Sequence, residues 1–209
     1  MCHNLRLTGV CHAAILEDQR LPLNLPNILT LLRVAAIPVL VLLAHLEAPW
    51  GNWGAAALFG AAALTDLVDG WLARRSGQTT VFGAFLDPVA DKLIVATALV
   101  LLTERFDDLL ITLCACVVIG REIVVSALRE WMARLGKEAS VAVNQIAKVK
   151  TTLQMIAISF LFLLLPEHAD SGWFILGQTV LTVAVLLTLW SMVVYLRSFF
   201  LVIQESEQQ

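Results

Sequence analysis

Apolar residues run through this chain in long blocks, and six of these blocks approach twenty residues. They cover residues 27–46, 53–73, 84–103, 108–128, 147–165 and 172–195. A block of about 20 residues at about 1.5 Å per residue matches a hydrocarbon core of about 30 Å. Inside lipid, each backbone N–H and C=O has to be satisfied within its own segment, so such blocks form helices. The pattern predicts an all-α, polytopic membrane protein with six transmembrane helices.

The polar connections between the blocks differ in charge. "EAPWGN" (47–52) and "PEHADSG" (166–172) hold no Lys or Arg, and "TERFDD" (103–108) holds only Arg105. The opposite side carries Arg6, Arg20 and Arg33, then Arg74 and Arg75, then Arg129, Arg134 and Lys137, and finally Arg197. Because Lys and Arg are retained on the cytoplasmic side, both termini are expected there. Trp50, Trp53 and Trp173 then fall at the outer interface, and Trp71, Trp131 and Tyr195 at the inner one, as anchors.

Composition agrees. Hydrophobic residues are 59% and charged residues 15% of the 209, mean hydropathy is +0.81, and a soluble domain carries about 25% charged residues. The net charge of -3 is small, so its distribution matters more than its size. Of the four cysteines, Cys2 and Cys11 each precede a histidine, but the spacing fits no zinc pattern. Cys114 and Cys116 read as buried free thiols. Residues 1–22 lack the long apolar core of a signal peptide and read as a cytoplasmic leader. The remainder divides into one membrane domain, 23–200, and a polar tail, 201–209.

Against this background one stretch is out of place. "TDLVDGWLARRSGQTTVFGAFLDPVADKLIV" (65–95) puts four aspartates among apolar segments. On the second helix Asp66, Asp69, Gly70, Ala73 and Arg74 stand at i, i+3, i+4, i+7 and i+8, one stripe. On the third, Gly83, Asp87 and Asp91 stand at i, i+4 and i+8. A short link joins the two helices, which makes them antiparallel neighbours with both acidic stripes near the cytoplasmic side. A charge near the bilayer centre costs about 2.5–3.5 kcal/mol, and four carboxylates repel one another, so cations belong between them. Oxygen-only ligands favour a hard cation, Mg²⁺ with Mn²⁺ as the alternative. Four carboxylates balance two divalent ions, and a pair of such ions about 3.5–4 Å apart serves phosphoryl displacement. Gly70, Ala73 and Gly83 clear space for a nucleotide or pyrophosphate against bare backbone.

The pattern Asp66-x-x-Asp69-Gly70-x-x-Ala73-Arg74, eight residues, then Gly83-x-x-x-Asp87-x-x-x-Asp91 resembles the signature of the CDP-alcohol phosphatidyltransferases. "NLPNILTLLR", "VFGAFLDPVADK", "REIVVSALREWMA" and "KVKTT" extend the resemblance over residues 23 to 197, toward the bacterial branch whose acceptor is glycerol 3-phosphate. It implies a homodimeric enzyme of the bacterial cytoplasmic (inner) membrane, its active site facing the cytoplasm, that moves a phosphatidyl group from CDP-diacylglycerol to an alcohol and releases CMP. Lipid is its medium and nucleic acid has no part in it. Asp66, Asp69, Asp87 and Asp91 would surround two Mg²⁺ ions, and Asp91 would be the general base. Asp69, Gly70, Ala73, Arg74 and Gly83, with Asn27 and Thr30 at the start of the first helix, would form the CDP-diacylglycerol site.

The acceptor has to be read from the cations. Arg121 lies too deep in the fourth block for a simple loop charge, with Glu122 beside it as its partner, and Arg129 follows at i+8. Lys148 and Lys150 differ by about 200° around their helix, so they do not share one role. A pocket of Arg121, Arg129 and one of these lysines, closed by Arg33, suits an anionic acceptor such as sn-glycerol 3-phosphate, because guanidinium forks bind phosphate. It disfavours choline or ethanolamine. For Arg129, Lys148 and Lys150 the alternative role is snorkelling to anionic lipid. Sister activities making phosphatidylinositol phosphate or cardiolipin share the aspartates. An intramembrane Mg²⁺-dependent prenyltransferase would also use aspartate clusters on pyrophosphate. A Mg²⁺ transporter would need a polar path across the membrane, and the outer halves of the second and third blocks are apolar. The histidines (His3, His12, His45, His168) lie away from the acidic nest, which excludes a triad or zinc hydrolase.

Overall fold

A computed structural model of the chain describes residues 25–46, 49–76, 81–134, 145–168 and 171–207. Side chains are described within 28–46, 50–65, 86–134, 149–167, 171–197 and 199–200. The leader 1–22 lies outside the described residues, and so do Asn144 and the side chain of Trp71. The described residues form helices and no strand: α1 Leu25–Ala44, α2 Pro49–Ser76, α3 Val81–Phe106, α4 Leu109–Arg134, α5 Gln145–Leu163, a 3-10 turn Pro166–His168, and α6 Gly172–Glu207. Each apolar block of the sequence sits on one helix. The helices α2, α3, α4 and α6 run well beyond their blocks at one or both ends, because a helix satisfies its backbone internally whether the next side chain is apolar or charged.

Local chemistry explains the ends. Pro49 opens α2, where its missing N–H is no loss. Asp107 takes a left-handed φ of 47° and Asp108 caps α4, its Oδ1 accepting from the Ile111 N–H at 2.8 Å. The same oxygen accepts from Gln178 Nε2 at 2.6 Å, which fastens the start of α4 to α6. At the same end of the bundle Arg105 donates to the buried Asn52 and joins α3 to α2.

α4 over Leu109–Arg134 and α6 over Gly172–Arg197 are long and apolar enough to cross a membrane, with mean hydropathy 2.1 in each. Only 28% and 22% of those windows are buried inside the chain, so they do not behave as core helices of a soluble protein. Their outward faces carry Leu109, Leu113, Ile123, Leu186 and Trp190, all more than half exposed, an apolar coat that water would not tolerate and lipid would. Trp50, Trp53 and Trp173 are also exposed. Cys114 is buried as expected but Cys116 is exposed, because two positions along a helix is a turn of about 200°.

Among the described residues α1 packs against α3 and α2, α2 against α5, α5 against α6, and α4 against α3 and α6. Direct contact between α2 and α3 among the described residues is slight. The short link between them does not make them the main packing pair; α1 and α5 fill the places beside them. The apolar core runs through Leu40, Phe59, Leu99, Ile111, Leu161 and Leu181, one from each helix. Gly51 lets α2 start against the end of α1: a Cβ there would stand 2.6 Å from the Leu43 carbonyl oxygen.

Candidate active site

Helix α3 carries Asp87 and Asp91 one turn apart, so both carboxylates leave the same face. Pro88 between them removes one helical N–H donor and frees a carbonyl on the preceding turn. From α1, Arg33 Nη1 donates to Asp87 Oδ1 at 3.0 Å and Thr30 Oγ1 donates to the same oxygen at 3.2 Å. Arg33 is 3% exposed, whereas the Asp87 side chain is 45% exposed. The pair therefore has a buried cation holding one carboxylate oxygen, with the rest of that carboxylate open.

Asp91 occupies a more informative place. It lines a cavity of about 470 Å³ between α3, α4 and α5, together with Lys92, Arg121, Glu122, Ser126 and Gln154. It also lines a second cavity, of about 620 Å³, whose other walls are largely apolar: Trp53, Ala56, Ala57, Gly60 and Leu64 of α2 with Ile156, Phe160 and Leu163 of α5. Thr151 and Met155 are likewise common to both. A carboxylate thus stands where a chamber with a charged and polar patch among otherwise apolar walls such as Leu93, Val118 and Ile119, the polar chamber, meets an apolar groove. The groove exists because α2 presents alanines and a glycine where larger residues would close on α5.

The polar chamber has its own charge order. Arg121 Nη2 lies 2.8 Å from Glu122 Oε2, and Lys92 Nζ lies 3.8 Å from Glu122 Oε1. Lys92 also donates to Ser126 Oγ, and Ser126 Oγ donates back to the Glu122 carbonyl at 2.6 Å. Glu122 is thus a carboxylate held between two cations, and Arg121 keeps a buried Nε without a partner among the described residues. Such an arrangement takes an anion, which can share or replace the grip of Glu122 on both. Behind the chamber, Lys150 is buried and donates to Ser191 Oγ of α6 at 2.8 Å.

These positions sort the residues named from sequence. Asp91 and Arg121 come together on one cavity, and the Arg121–Glu122 pairing expected from adjacency is present. Thr30 and Arg33 meet at Asp87, and Arg33 is not among the residues lining the polar chamber. Arg129 is exposed on α4, two turns beyond Arg121, while Lys150 points into the α5–α6 seam. The side chains of Asn27, Asp66, Asp69, Gly70, Ala73, Arg74, Gly83 and Lys148 lie outside the described residues. Among those described, no group of three or more His, Cys, Asp or Glu side chains gathers as a metal site; Asp87 and Asp91 stand as a pair. Lys92, Ser126, Gln154 and Ser191 were not legible as site residues. Lys92 and Gln154 did leave a signal, since one follows Asp91 directly and the other is a lone amide within "TTLQMIAIS".

A carboxylate at the junction of a chamber that holds two cations, Lys92 and Arg121, and an apolar groove suits an enzyme that joins a lipid to an anionic alcohol. The chain belongs to the CDP-alcohol phosphatidyltransferase family, whose model matches residues 23–201. It is 52% identical over 174 residues to the CDP-diacylglycerol–glycerol-3-phosphate 3-phosphatidyltransferase of Shigella flexneri serotype 5b, covering 83% of this chain and 93% of the relative. The proteins of the same name from Shigella boydii serotype 4 and Escherichia coli strain K12 are also 52% identical, over 174 and 176 residues, with the same coverage.

Proposed function

We propose that this chain transfers the phosphatidyl group of CDP-diacylglycerol to sn-glycerol 3-phosphate, giving phosphatidylglycerophosphate and CMP. The observation that carries the reading is Asp91, which lines both the polar chamber and the apolar groove. Glycerol 3-phosphate fits the first by charge and the acyl chains of the donor fit the second by polarity. The two substrates meet at the carboxylate. The names of the relatives support the same pair of substrates.

The chain's own residues then have distinct tasks. Arg121 and Lys92 attract the acceptor phosphate, which competes with Glu122 for them. Asp91 takes the proton of the acceptor hydroxyl as its oxygen attacks the lipid-bearing phosphorus. A new P–O bond forms, the phosphoanhydride bond to CMP breaks, and Arg74 holds the departing phosphate. Asn27, Thr30, Asp69, Gly70, Ala73, Arg74 and Gly83 form the CDP-diacylglycerol site; Arg129 and Lys148 add positive charge around the acceptor, while Arg33, which holds Asp87, and Lys150, which donates to Ser191, act on it only at longer range. The half-open carboxylate of Asp87 and the position of Asp91 one turn on fit hard-cation ligands, and Asp66 and Asp69 complete the set. Asp66, Asp69, Asp87 and Asp91 would hold two Mg²⁺ ions, with Mn²⁺ as the alternative, and the ions would supply positive charge opposite the diphosphate and the leaving group.

The lipid substrate and the apolar outer surface support the reading of an enzyme of the bacterial cytoplasmic membrane. Residues 23–200 form its catalytic domain, with six transmembrane helices, both termini and the active site on the cytoplasmic side, and two copies in the working assembly. Residues 1–22 are a cytoplasmic leader and 201–209 a polar tail. Purified protein offered CDP-diacylglycerol with glycerol 3-phosphate, inositol phosphate or phosphatidylglycerol should release CMP with glycerol 3-phosphate alone. CMP release that depends on either other acceptor overturns the assignment.

A further inference from the structure

Most polar side chains on the chamber wall already satisfy one another: Lys92 with Ser126 and Glu122, Arg121 with Glu122, and Ser126 with the Glu122 carbonyl. Gln154 differs. It is 4% exposed, lines the chamber, and its Oε1 is buried with no donor to it among the described residues. An amide oxygen sealed from water and left unpaired is destabilising, and buried polar atoms in folded proteins normally have partners. Gln154 lines the chamber, so a rotation of its terminal amide brings Oε1 to a ligand there that supplies a donor. Its position narrows the ligand group. Gln154 follows Thr151 by one turn of α5, and Thr151 and Asp91 mark the junction of the two cavities. Gln154 lines only the polar one, beside the reacting centre and on the acceptor's side.

The acceptor, as proposed above, offers three kinds of group. Its phosphate only accepts hydrogen bonds and goes to the cations. Its reacting hydroxyl gives its proton to Asp91. The hydroxyl on carbon 2 is the remaining donor, and Gln154 Oε1 is the remaining buried acceptor. We propose that Gln154 is a specificity-determining residue of the acceptor site, its Oε1 accepting a hydrogen bond from the non-reacting hydroxyl of sn-glycerol 3-phosphate. An acceptor without that hydroxyl leaves the amide oxygen unpaired in the closed site and is rejected for that reason.

The test uses the full-length enzyme in detergent and two acceptors, sn-glycerol 3-phosphate and 3-hydroxypropyl phosphate, which lacks only the carbon-2 hydroxyl. CMP release with glycerol 3-phosphate is measured first. Activity only with a different alcohol removes the parent reading and this inference with it. Given activity, the wild type should favour glycerol 3-phosphate by about 10- to 100-fold in kcat/KM. Gln154→Met, close in volume and apolar, should lose about that factor on glycerol 3-phosphate while changing little on 3-hydroxypropyl phosphate, with the KM for CDP-diacylglycerol unaltered. Gln154→Asn, which withdraws the amide by one methylene, should behave the same way and serves if the methionine variant does not fold. Equal losses on both acceptors mark a structural residue and overturn the proposal. So does a wild type that does not distinguish the two acceptors.

Discussion

Glu122 sits between Arg121 and Lys92 as an internal counter-ion, and this decides how each neighbouring residue responds to change. Arg121 lines the chamber proposed for the acceptor phosphate and not the apolar groove. Arg121→Ala should therefore raise the KM for glycerol 3-phosphate by about 10- to 100-fold and leave that for CDP-diacylglycerol nearly unchanged, as steady-state kinetics with each substrate varied will read. Equal effects on both would mark Arg121 as a structural residue. Asp91 lines both cavities. Asp91→Asn keeps the shape and removes the basic oxygen, so kcat should fall by at least about 100-fold while CDP-diacylglycerol binding, followed by equilibrium titration, persists. Retained turnover within a few-fold would refute the base role. At this scale the sequence singled out Asp91 and Arg121 as charges within apolar blocks, and both line one cavity. It was not legible where a residue's role depends on what it lacks. Gln154 is an ordinary amide until its surroundings are known to leave its oxygen unpaired.

Among elements, α1 and α5 settle what α2 and α3 alone could not. Arg33 and Thr30 reach Asp87 from α1 and fix where α3 stands against it. The start of α2 then depends on Gly51, whose missing side chain admits the Leu43 carbonyl and Leu46. Gly51→Val would force those helices apart, with an expected cost of about 1–3 kcal/mol of overpacking. Thermal unfolding in detergent should show a lower Tm, with the KM values of molecules that remain folded unchanged. An unaltered Tm would mean that the α1–α2 contact gives way without cost. The helices themselves were readable because apolar length is a strong signal. Their pairing was not, because sequence adjacency favours α2 with α3, whereas the described contacts favour α1 with α3 and α2 with α5.

For the whole molecule, the charge asymmetry of the connections and the apolar coat of α4 and α6 make topology the property to test. In a variant stripped of its four native cysteines, Ser171→Cys should react from outside intact cells with a membrane-impermeant thiol reagent. Arg134→Cys should react only after the membrane is opened. The reverse pattern would invert the topology and move the acidic face to the outer side. Trp50, Trp53 and Trp173 share the expected outer end and are all exposed, as residues at a lipid–water boundary would be.

The sequence by itself determined the helical class, the approximate helices, the acidic stripes and the resemblance that led to the family. Each of these follows from periodicity, apolar length or local spacing, which are properties of neighbours along the chain. Only the tertiary structure decided that Asp91 stands at the junction of two cavities, that Arg33 is spent on Asp87, and that Lys92, Glu122 and Gln154 face the chamber beside Arg121. Those relations join residues tens of positions apart on different helices. They depend on how the helices pack and rotate against one another, and no local pattern encodes that.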